Sequence, residues 1–315
     1  MIRDITYKTT TLRTAKAQAI VFCKRETVER IIAQKIPKGD VLEFARAAGY
    51  LGAKNTANLI PHCHPISIDS FKFDFEFLTE ENFKQFVSSS PFRSGIVILS
   101  EAKCIGRTGI EIEAMTGTSI AALTIYDILK PIDDSLEISH IKVLEKTGGK
   151  SDRKYFNTPP TCAILVCSDS TSQGKREDTS GKLIQQMLQE QNADVVEYMI
   201  VPDEKNMIQK QIREWVERDI HFIFTTGGTG LGPKDYTVEA VKEILERDAD
   251  GITEAIRAHG QMRTPLAMMS RAVAGSIRFT TIITLPGSSN GARESLEAIL
   301  PAIFHSRKML KGGGH

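Results

Sequence analysis

The second half of the chain alternates apolar runs with helix-like segments so regularly that few folds can accommodate it. Runs such as "CAILVCS" at 162–168 and "HFIFTT" at 221–226 are short, continuous and rich in β-branched or aromatic residues. Strands of this kind, separated by helices, are typical of a parallel sheet that is buried on both faces. The pattern predicts an α/β doubly wound domain of three layers, with ligands bound beyond the carboxyl ends of the strands.

The predicted elements of this half follow one another in strict alternation. In chain order they are strand 162–168, helix 178–190, strand 194–201, helix 204–218, strand 221–226, a helix from 237, strand 279–286 and helix 291–310. Because parallel strands present their carboxyl ends at one edge, the segments that follow these strands are expected to form a common site.

The first half follows a different pattern. The segment "SIDSFKFDFEFL" alternates phenylalanines with charged residues, which is typical of a half-buried antiparallel strand. Further strands are predicted at 17–23, 95–105 and 138–146, and helices at 25–36, 40–58 and 111–129. Since these elements do not repeat as regular βαβ units, they predict an α+β domain in which helices cover an antiparallel sheet.

A polar stretch separates the two patterns. Residues 150–161, "KSDRKYFNTPPT", contain two prolines and lack apolar periodicity. We place a linker at 153–160, between a first domain at 1–152 and a second at 161–315. The length of 315 residues suffices for two ordinary domains.

The charge balance limits the classes of partner. The chain has 40 basic and 39 acidic residues and a net charge of +1, so no bulk electrostatic attraction to nucleic acid or membranes is expected. No apolar run approaches the roughly 18 residues of a membrane span, and "MIRDITYKTT" lacks a signal-peptide pattern. The five scattered cysteines contain no CxxC, which favours a reduced, cytoplasmic protein. Any anionic ligand must therefore be held by a local cluster.

Polar or glycine-rich segments follow four strands of the second half: "SDSTSQGKREDTSG", "VPDE", "TTGGTGLGPKDYT" and "LPGSSNG". Gly227, Gly228 and Gly230 allow tight turns that expose backbone N–H groups to an anion. The alternative is that these glycines only form turns and that Asp235 or Thr237 only caps a helix. "GGTG" is neither a Walker A motif nor GxGxxG, so neither nucleotide motif is assigned.

Asp203 and Asp235 follow different strands at the same edge of the predicted sheet. Two carboxylates beside a phosphate-binding loop would repel the ligand unless a cation lay between them. Mg²⁺ accepts one or two carboxylates together with phosphate oxygens. The pair therefore predicts chemistry on a magnesium-bound nucleotide; the alternative for Asp203 is that it caps the helix starting at Glu204.

The segment "LIPHCHP" raises the question of a metal site in the first half. His62 and His64 flank Cys63, and His-x-His can supply two zinc ligands. A zinc site needs three or four ligands, and only His140 is left among the histidines of this half. We favour a rigid, proline-framed turn, with a zinc enzyme as the alternative.

The motifs of the second half occur in the order seen in molybdopterin adenylyltransferases, which the chain resembles over about 160–311. They are "CSDS…DTSG", "VPDE", "TTGGTGLGPKDYTVEA", "RTPLAMMSRAVAG" and "LPGSSNGARESLEAILP". The resemblance implies that ATP with Mg²⁺ adenylylates molybdopterin and releases pyrophosphate. It assigns catalysis and Mg²⁺ binding, through the nucleotide, to Asp203 and Asp235. The substrate-binding residues it implies are Ser168, Asp169, Ser170, Gly227, Gly228, Thr229, Gly230, Ser288 and Asn290.

Two features of the resemblance leave an alternative open. Ser289 stands where the family usually has proline, in a PG-x-P form. Some members of the superfamily bind the pterin with little or no turnover. A non-catalytic pterin-binding or scaffold module is therefore the alternative function for the second half, and the presence of both aspartates argues against it.

The first half, over about 2–152, resembles cyclic pyranopterin monophosphate synthase. The resemblance rests on "KGDVLEFARAAGYLGAKNTANLIPHCHP", "GRTGIEIEAMTGTSIAALTIYDILKP" and "IKVLEKTGGKSD". It implies a ferredoxin-like α+β fold, conversion of cyclised dihydro-GTP to cyclic pyranopterin monophosphate with release of pyrophosphate, and no metal. The catalytic residues it implies are Asp127, Lys54 and Lys130. The substrate-binding residues are Cys63, His64, Ile112, Glu113, Arg13, Lys16 and Lys146.

Both resemblances together imply a bifunctional enzyme of molybdenum cofactor biosynthesis. They also imply a homo-oligomer, such as a hexamer, with synthase active sites shared between subunits. The chemistry suits the residue types, because a triphosphate substrate in a nearly neutral protein requires a local cluster of Lys, Arg and His. Without the resemblance, Asp127 and Lys130 would be read as an ordinary helical ion pair and Lys54 as a solvated lysine.

Overall fold

The structure, a computed structural model, divides into two compact units, Met1–Asp152 and Arg153–His315. It describes residues 2–79, 81–87, 92–149 and 156–313. Part of the predicted linker lies outside the described residues, but its end is packed on the second unit. The ring of Phe156 meets that of Phe304 at 5.4 Å between centroids, and Arg307 donates to the carbonyl of Thr158 at 3.0 Å. The second unit therefore includes residues from 156.

The first unit contains a four-stranded antiparallel sheet in the order β2–β3–β1–β4. Its strands are β1 (Thr11–Phe22), β2 (Ser70–Leu78), β3 (Gly95–Gly106) and β4 (Glu137–Thr147). The helical segments are α1 (Arg25–Ile32), α2 (Val41–Lys54), α3 (Thr56–Leu59), α4 (Phe83–Phe86) and α5 (Glu111–Leu129). The helices α2 and α5 pack on one face of the sheet, in agreement with the expected α+β arrangement.

Three elements of this unit differ most from their predicted bounds, and one of them is α1, which ends at Ile32 instead of 36. β1 begins at Thr11 instead of 17. The segment Thr11–Lys16 is mostly polar, so its sequence does not predict a buried strand, but it pairs with β3 along its whole length. The predicted helix at 40–58 is two helices, since α2 ends at Lys54 and α3 begins at Thr56. The predicted loop at 79–94 lies partly outside the described residues and contains the short α4.

Small residues bring α2 and α5 close together. A Cβ added to Gly49 in α2 would lie 2.4 Å from Cζ of Phe73 and 3.0 Å from the carbonyl oxygen of Gly117 in α5. A Cβ on Gly117 would in turn lie 3.2 Å from that of Ala53. The helices therefore approach at a distance that only glycine allows.

Replacing Gly49 with alanine is expected to lower the free energy of unfolding of the first unit by about 1–3 kcal/mol, because the added methyl group overpacks against the Phe73 ring of β2 and the Gly117 carbonyl of α5. Gly251 is the matched control, since a Cβ added there meets nothing within 4 Å. Gly251→Ala should raise the stability of the second unit by roughly 0.5–1 kcal/mol. Differential scanning calorimetry of the full chain measures both. An unchanged transition in Gly49→Ala would contradict the close packing.

The second unit contains a six-stranded sheet in the order β6–β5–β7–β10–β9–β8. The first four strands in that order are parallel; β9 pairs antiparallel with β10, and β8 pairs antiparallel with β9. The strands are β5 (Thr161–Cys167), β6 (Asp194–Val201), β7 (Phe222–Thr226), β8 (Arg247–Asp248), β9 (Ala274–Ile277) and β10 (Thr280–Leu285).

Helices cover both faces of this sheet. They are α6 (Asp169–Ser172), α7 (Ser180–Glu190), α8 (Lys205–Glu217), α9 (Thr237–Lys242), α10 (Asp250–Gln261), α11 (Ser289–Ile299) and α12 (Ser306–Leu310). One core joins the sheet to α7, α10 and α11, and a second core joins it to α8 and α9. The prediction of a three-layer α/β domain is confirmed.

Sequence periodicity missed part of the second unit. β8, α10 and β9 lie in a region for which no element was predicted; two of them are strands of two and four residues, too short to show a period. The helix predicted at 291–310 is interrupted, because α11 ends at Ile299 and Pro301 cannot continue it. Among the described residues, no helix combines the length and the apolar run needed to cross a membrane.

Candidate active sites

A cavity of about 450 Å³ lies at the carboxyl ends of the parallel strands of the second unit. Most of the residues predicted for this site line it: Ser168, Asp169, Ser170, Asp203, Gly227, Gly228, Asp235 and Ser288. The other three, Thr229, Gly230 and Asn290, line a neighbouring cavity of about 350 Å³ that shares Ser288. The loops after β5, β6, β7 and β10 therefore meet as the strand pattern predicted.

The loop after β7 depends on two glycines. Gly227 and Gly228 have φ angles of +97° and +59°, in the left-handed region that favours glycine. A Cβ on Gly227 would lie 2.1 Å from the carbonyl oxygen of Cys167, and one on Gly228 would lie 2.2 Å from Oδ2 of Asp203. The backbone of this loop can thus approach both β5 and the Asp203 carboxylate only because glycine has no Cβ at these two positions.

Three carboxylates on the cavity wall are held by hydrogen bonds. Thr237 Oγ1 donates to Oδ1 of Asp203 at 3.2 Å, and the Gly232 N–H donates to Oδ2 of Asp235 at 2.8 Å. The Asp203 N–H donates to Oδ1 of Asp169 at 3.0 Å. Each of these contacts uses one oxygen of its carboxylate and fixes the side chain against the cavity wall.

The electrostatics of the cavity suit a cation. Burial raises the pKa of Asp203, and the negative charges of Asp235 and Asp169 raise it further, against the lowering effect of its hydrogen bonds. A bound cation would relieve this repulsion, and an all-oxygen set of donors is what Mg²⁺ prefers. Because Mg²⁺ on a nucleotide takes one or two carboxylates together with phosphate oxygens, Asp203 and Asp235 fit the predicted magnesium without a third protein ligand.

The alternative that Asp203 caps the following helix is wrong. The N-cap of α8 is Glu204, with no side-chain hydrogen bond. Asp203 instead accepts hydrogen bonds from the Tyr236 N–H at 3.3 Å and from Thr237, both at the start of α9. Its side chain therefore belongs to the glycine loop and the cavity.

Sequence reasoning missed several side chains of this cavity. Arg176, Asp178, Thr179 and Lys234 also line it. Asp178 accepts hydrogen bonds from the Tyr198 hydroxyl and from the Gly181 N–H, so it anchors the "DTSG" segment. That motif was noted in the sequence, but its side chains were given no role. Arg176 and Lys234 are basic residues of the cavity wall and can neutralise the charge of a bound phosphate.

The first unit contains a cavity of about 600 Å³ with a cationic wall. Three residues predicted for the synthase site, Arg13, His64 and Lys146, line it. Arg3, Lys8 and Glu111 also line it and were not predicted as site residues, and so does His62, which was considered only as a zinc ligand. Arg3 and Lys8 lie in a segment without apolar periodicity or a recognisable motif, so no local signal marks them as site residues.

The "PHCHP" turn is joined to the N-terminal end of α5. Cys63 Sγ donates to Oε1 of Glu113 at 3.4 Å, and Glu113 is only 3% exposed. Burial raises the pKa of Glu113, and burial together with the neighbouring Glu113 raises the pKa of Cys63 to about 11. Lys146 pairs with Glu111 at 3.3 Å, and Ile112 is exposed between the two glutamates. The predicted substrate contacts thus cluster around the first turn of α5.

Other predicted synthase residues lie elsewhere. Asp127 is paired with Lys130 at 2.6 Å and with Lys38 at 3.4 Å, at the far end of α5. From Glu111 to Asp127 the helix rises about 24 Å. Lys54 ends α2, next to Ala53, whose Cβ faces Gly117 in the first half of α5. One chain therefore does not bring Asp127 and Lys130 together with Lys54.

Lys16 is also remote from the cationic cavity. Residues three apart share a face in a helix, but in the strand β1 the side chains of Arg13 and Lys16 project to opposite faces of the sheet. Lys16 pairs with Glu145 at 2.9 Å, which raises the pKa of the lysine. The strand geometry thus separates two basic residues that the resemblance had grouped.

His62 and His64 both line the cationic cavity. Over the ranges that the structure describes, no group of three or more His, Cys, Asp or Glu side chains is placed to hold a metal ion. The two histidines are therefore not joined by the third ligand that zinc needs. The zinc hypothesis stays a prediction that metal analysis can test.

Comparisons with known proteins assign one family to each of the two units. The sequence matches the MoaC family over residues 2–149 and a probable molybdopterin binding domain over residues 163–305. The molybdenum cofactor biosynthesis bifunctional protein of Chlorobaculum tepidum is 38% identical over 312 residues, covering 99% of this chain and 95% of that protein. The cyclic pyranopterin monophosphate synthase of Syntrophomonas wolfei is 45% identical, covering 47% of this chain and 87% of that protein.

Among solved structures, the molybdopterin biosynthesis enzyme MoaB from Thermus thermophilus shares 44% identity, covers 48% of this chain and 96% of its own, and gives a TM-score of 0.46. The sequence matches define a two-domain protein of molybdenum cofactor biosynthesis. The chain belongs to the family of molybdenum cofactor biosynthesis bifunctional proteins. The predicted fusion of two pathway proteins is confirmed.

Proposed function

We propose that the second unit adenylylates molybdopterin with magnesium-bound ATP. The observation that carries this proposal is the meeting of Asp203, Asp235 and the Gly227–Gly228 turn on one cavity. A phosphate oxygen of molybdopterin attacks the α-phosphorus of ATP, the bond to the bridging oxygen breaks, and pyrophosphate leaves. When bound, Mg²⁺ supplies positive charge to the phosphates during this transfer.

The residues of the chain have separable roles in this proposal. Asp203 and Asp235 would hold the cation through the carboxylate oxygens that accept no hydrogen bond from the loop. Backbone N–H groups of the glycine loop and the side chains of Arg176 and Lys234 neutralise phosphate charge. The Ser168–Asp169–Ser170 turn and Ser288 bind neighbouring groups of the substrate. All of these residues line the same cavity.

For the first unit we propose conversion of cyclised dihydro-GTP to cyclic pyranopterin monophosphate, with release of pyrophosphate. Arg3, Lys8, Arg13, His64 and Lys146 surround the cationic cavity and suit the triphosphate group. The strand order β2–β3–β1–β4, with helices in both crossovers, supports a ferredoxin-like fold.

We further propose that the synthase site is completed by a second subunit. Asp127 and Lys130 lie at the opposite end of α5 from the cationic cavity, so a second copy must supply them if all act on one substrate. This arrangement requires a homo-oligomer, and the cytoplasm is the compartment we propose for it.

A direct test offers each substrate to the purified full chain. With molybdopterin, ATP and Mg²⁺, we expect pyrophosphate and adenylylated molybdopterin; with cyclised dihydro-GTP, we expect pyrophosphate and the cyclic pyranopterin phosphate. A chain that binds molybdopterin but releases no pyrophosphate would support the scaffold alternative. Stoichiometric zinc in untagged protein, with synthase activity lost on chelation, would support a zinc enzyme instead.

A further inference from the structure

Arg271 reaches from the segment before β9 to the glycine loop of the second unit. Its Nε donates to the carbonyl oxygen of Gly230 at 2.8 Å, and its Nη2 donates to that of Asp235 at 3.0 Å. Its Nη1 forms an ion pair with Glu239 in α9. One planar guanidinium is thus bonded to two points of the loop and to the helix that follows the loop.

We propose that Arg271 is a positioning residue that fixes the loop 227–236 so that the Asp235 carboxylate faces the cavity. The inference rests on the proposed adenylyl transfer, because Asp235 is a cation-holding residue only in that reaction. Arg271 is not among the residues that line the cavity, so it acts through the loop and not on the substrate.

The loop needs such an anchor because little regular structure holds it. Between the end of β7 at Thr226 and the start of α9 at Thr237 it contains only turns and bends, and it begins with two left-handed glycines. Fixing flexible backbone costs about 1–2 kcal/mol of conformational entropy per residue. The hydrogen bonds of Arg271 tie the middle and the end of the loop to one rigid group.

Glu239 fixes the arginine in turn. Burial alone would raise the pKa of Glu239, but the hydrogen bond from Arg271, a backbone hydrogen bond and the positive charges of Arg271 and Lys205 together lower it. A lysine at 271 would carry the same charge without the fork that reaches two carbonyls at once. The geometry therefore requires arginine specifically. Replacing Arg271 with lysine, which keeps the positive charge, should still release the loop.

The experiment compares Arg271→Lys, Arg271→Met and Glu239→Gln in the full chain. Misplacing a catalytic group by about 1 Å can cost on the order of 10²-fold in rate. We expect kcat for pyrophosphate release to fall about that much in Arg271→Lys and Arg271→Met, with a smaller fall in Glu239→Gln. KM for MgATP should change less than kcat. Amide hydrogen exchange of the loop 227–236 should become faster in all three variants. The increase should be larger in Arg271→Lys and Arg271→Met than in Glu239→Gln.

Arg278→Lys is the matched control. Arg278 forms an ion pair with Glu217 at 3.0 Å, away from the cavity, so the same substitution should leave kcat and loop exchange unchanged. Differential scanning calorimetry of the same preparation, followed at the unfolding transition of the second unit, reports whether each variant is folded.

The two readouts separate the inference from the proposed function. If Arg271→Lys keeps kcat within twofold, or loses activity without faster loop exchange, Arg271 does not position the loop. If the wild-type chain releases no pyrophosphate, the proposed reaction is wrong. The anchoring role of Arg271 is then tested by amide hydrogen exchange of the loop alone. Unchanged exchange in Arg271→Met would then overturn the inference, and faster exchange would uphold the anchoring.

Discussion

Replacing Asp203 with asparagine should abolish pyrophosphate release from ATP and molybdopterin, with a loss on the order of 10³-fold. Asparagine keeps an oxygen that can accept the hydrogen bonds from Thr237 and the Tyr236 N–H, so the loop geometry should survive. The negative charge is lost, however, and with it the attraction for the cation. The change therefore tests the charge of Asp203 separately from its structural contacts.

The measurement is continuous release of pyrophosphate at saturating molybdopterin, ATP and Mg²⁺. Asp194→Asn is the matched control, because Asp194 lies at the start of β6, opposite the strand ends that form the cavity. The synthase reaction of the same chain should be unaffected in both variants. An Asp203→Asn protein that retains more than about a tenth of the wild-type rate would refute the cation role, since one lost order of magnitude is only about 1.4 kcal/mol of transition-state stabilisation.

The site of the second unit could be predicted from sequence because its geometry follows from a repeating pattern. Once strands are recognised as parallel, their carboxyl ends share an edge. The residues after β5, β6, β7 and β10 then meet without knowledge of any side-chain packing. The same reasoning fails for Arg271, whose contacts lie 32 to 41 residues away in sequence and have no local signal. The missed strands β8 and β9 are too short for a period to appear.

The site of the first unit could be predicted only in part, for a different reason. Periodicity identified α5 and placed Glu113 at its start and Asp127 at its end. It could not show that the "PHCHP" turn docks on the start of the helix, since the contact between Cys63 and Glu113 spans 50 residues of chain. A resemblance lists residues that act together without stating which subunit supplies each one. Helix length shows that Asp127 is far from this cluster in its own chain.

The surface of α2 and α5, the helices that carry Lys54 and Asp127, suits contact with a second subunit. Leu51 in α2 and Leu123 in α5 are 64% and 56% exposed, and Tyr126 next to Asp127 is also exposed. Large apolar side chains on a helical face lose unfavourable contact with water when a second copy covers them. Lys54 and Asp127 lie on these same two helices, so an interface that buries the apolar side chains can also bring the two charged groups together.

Two inactive variants should therefore complement each other. Asp127→Asn and Lys54→Met should each abolish the synthase reaction, yet co-expression should restore it, because a mixed pair contains one site with both native residues. If subunits pair at random through a two-fold interface, about a quarter of wild-type activity should return. Conversion of cyclised dihydro-GTP by the co-purified protein measures this.

The control pairs two changes at the same end of α5. Asp127→Asn co-expressed with Lys130→Met should remain inactive, because these residues are neighbours in one chain and both sites of a mixed pair then carry a defect. Recovery in this control would mean that the variants are leaky. If Asp127→Asn with Lys54→Met gives no more activity than the two variants measured separately, the site is not shared between subunits. Asp127, Lys130 and Lys54 would then not act on a common substrate, because α5 keeps the first two residues at the end opposite the cationic cavity.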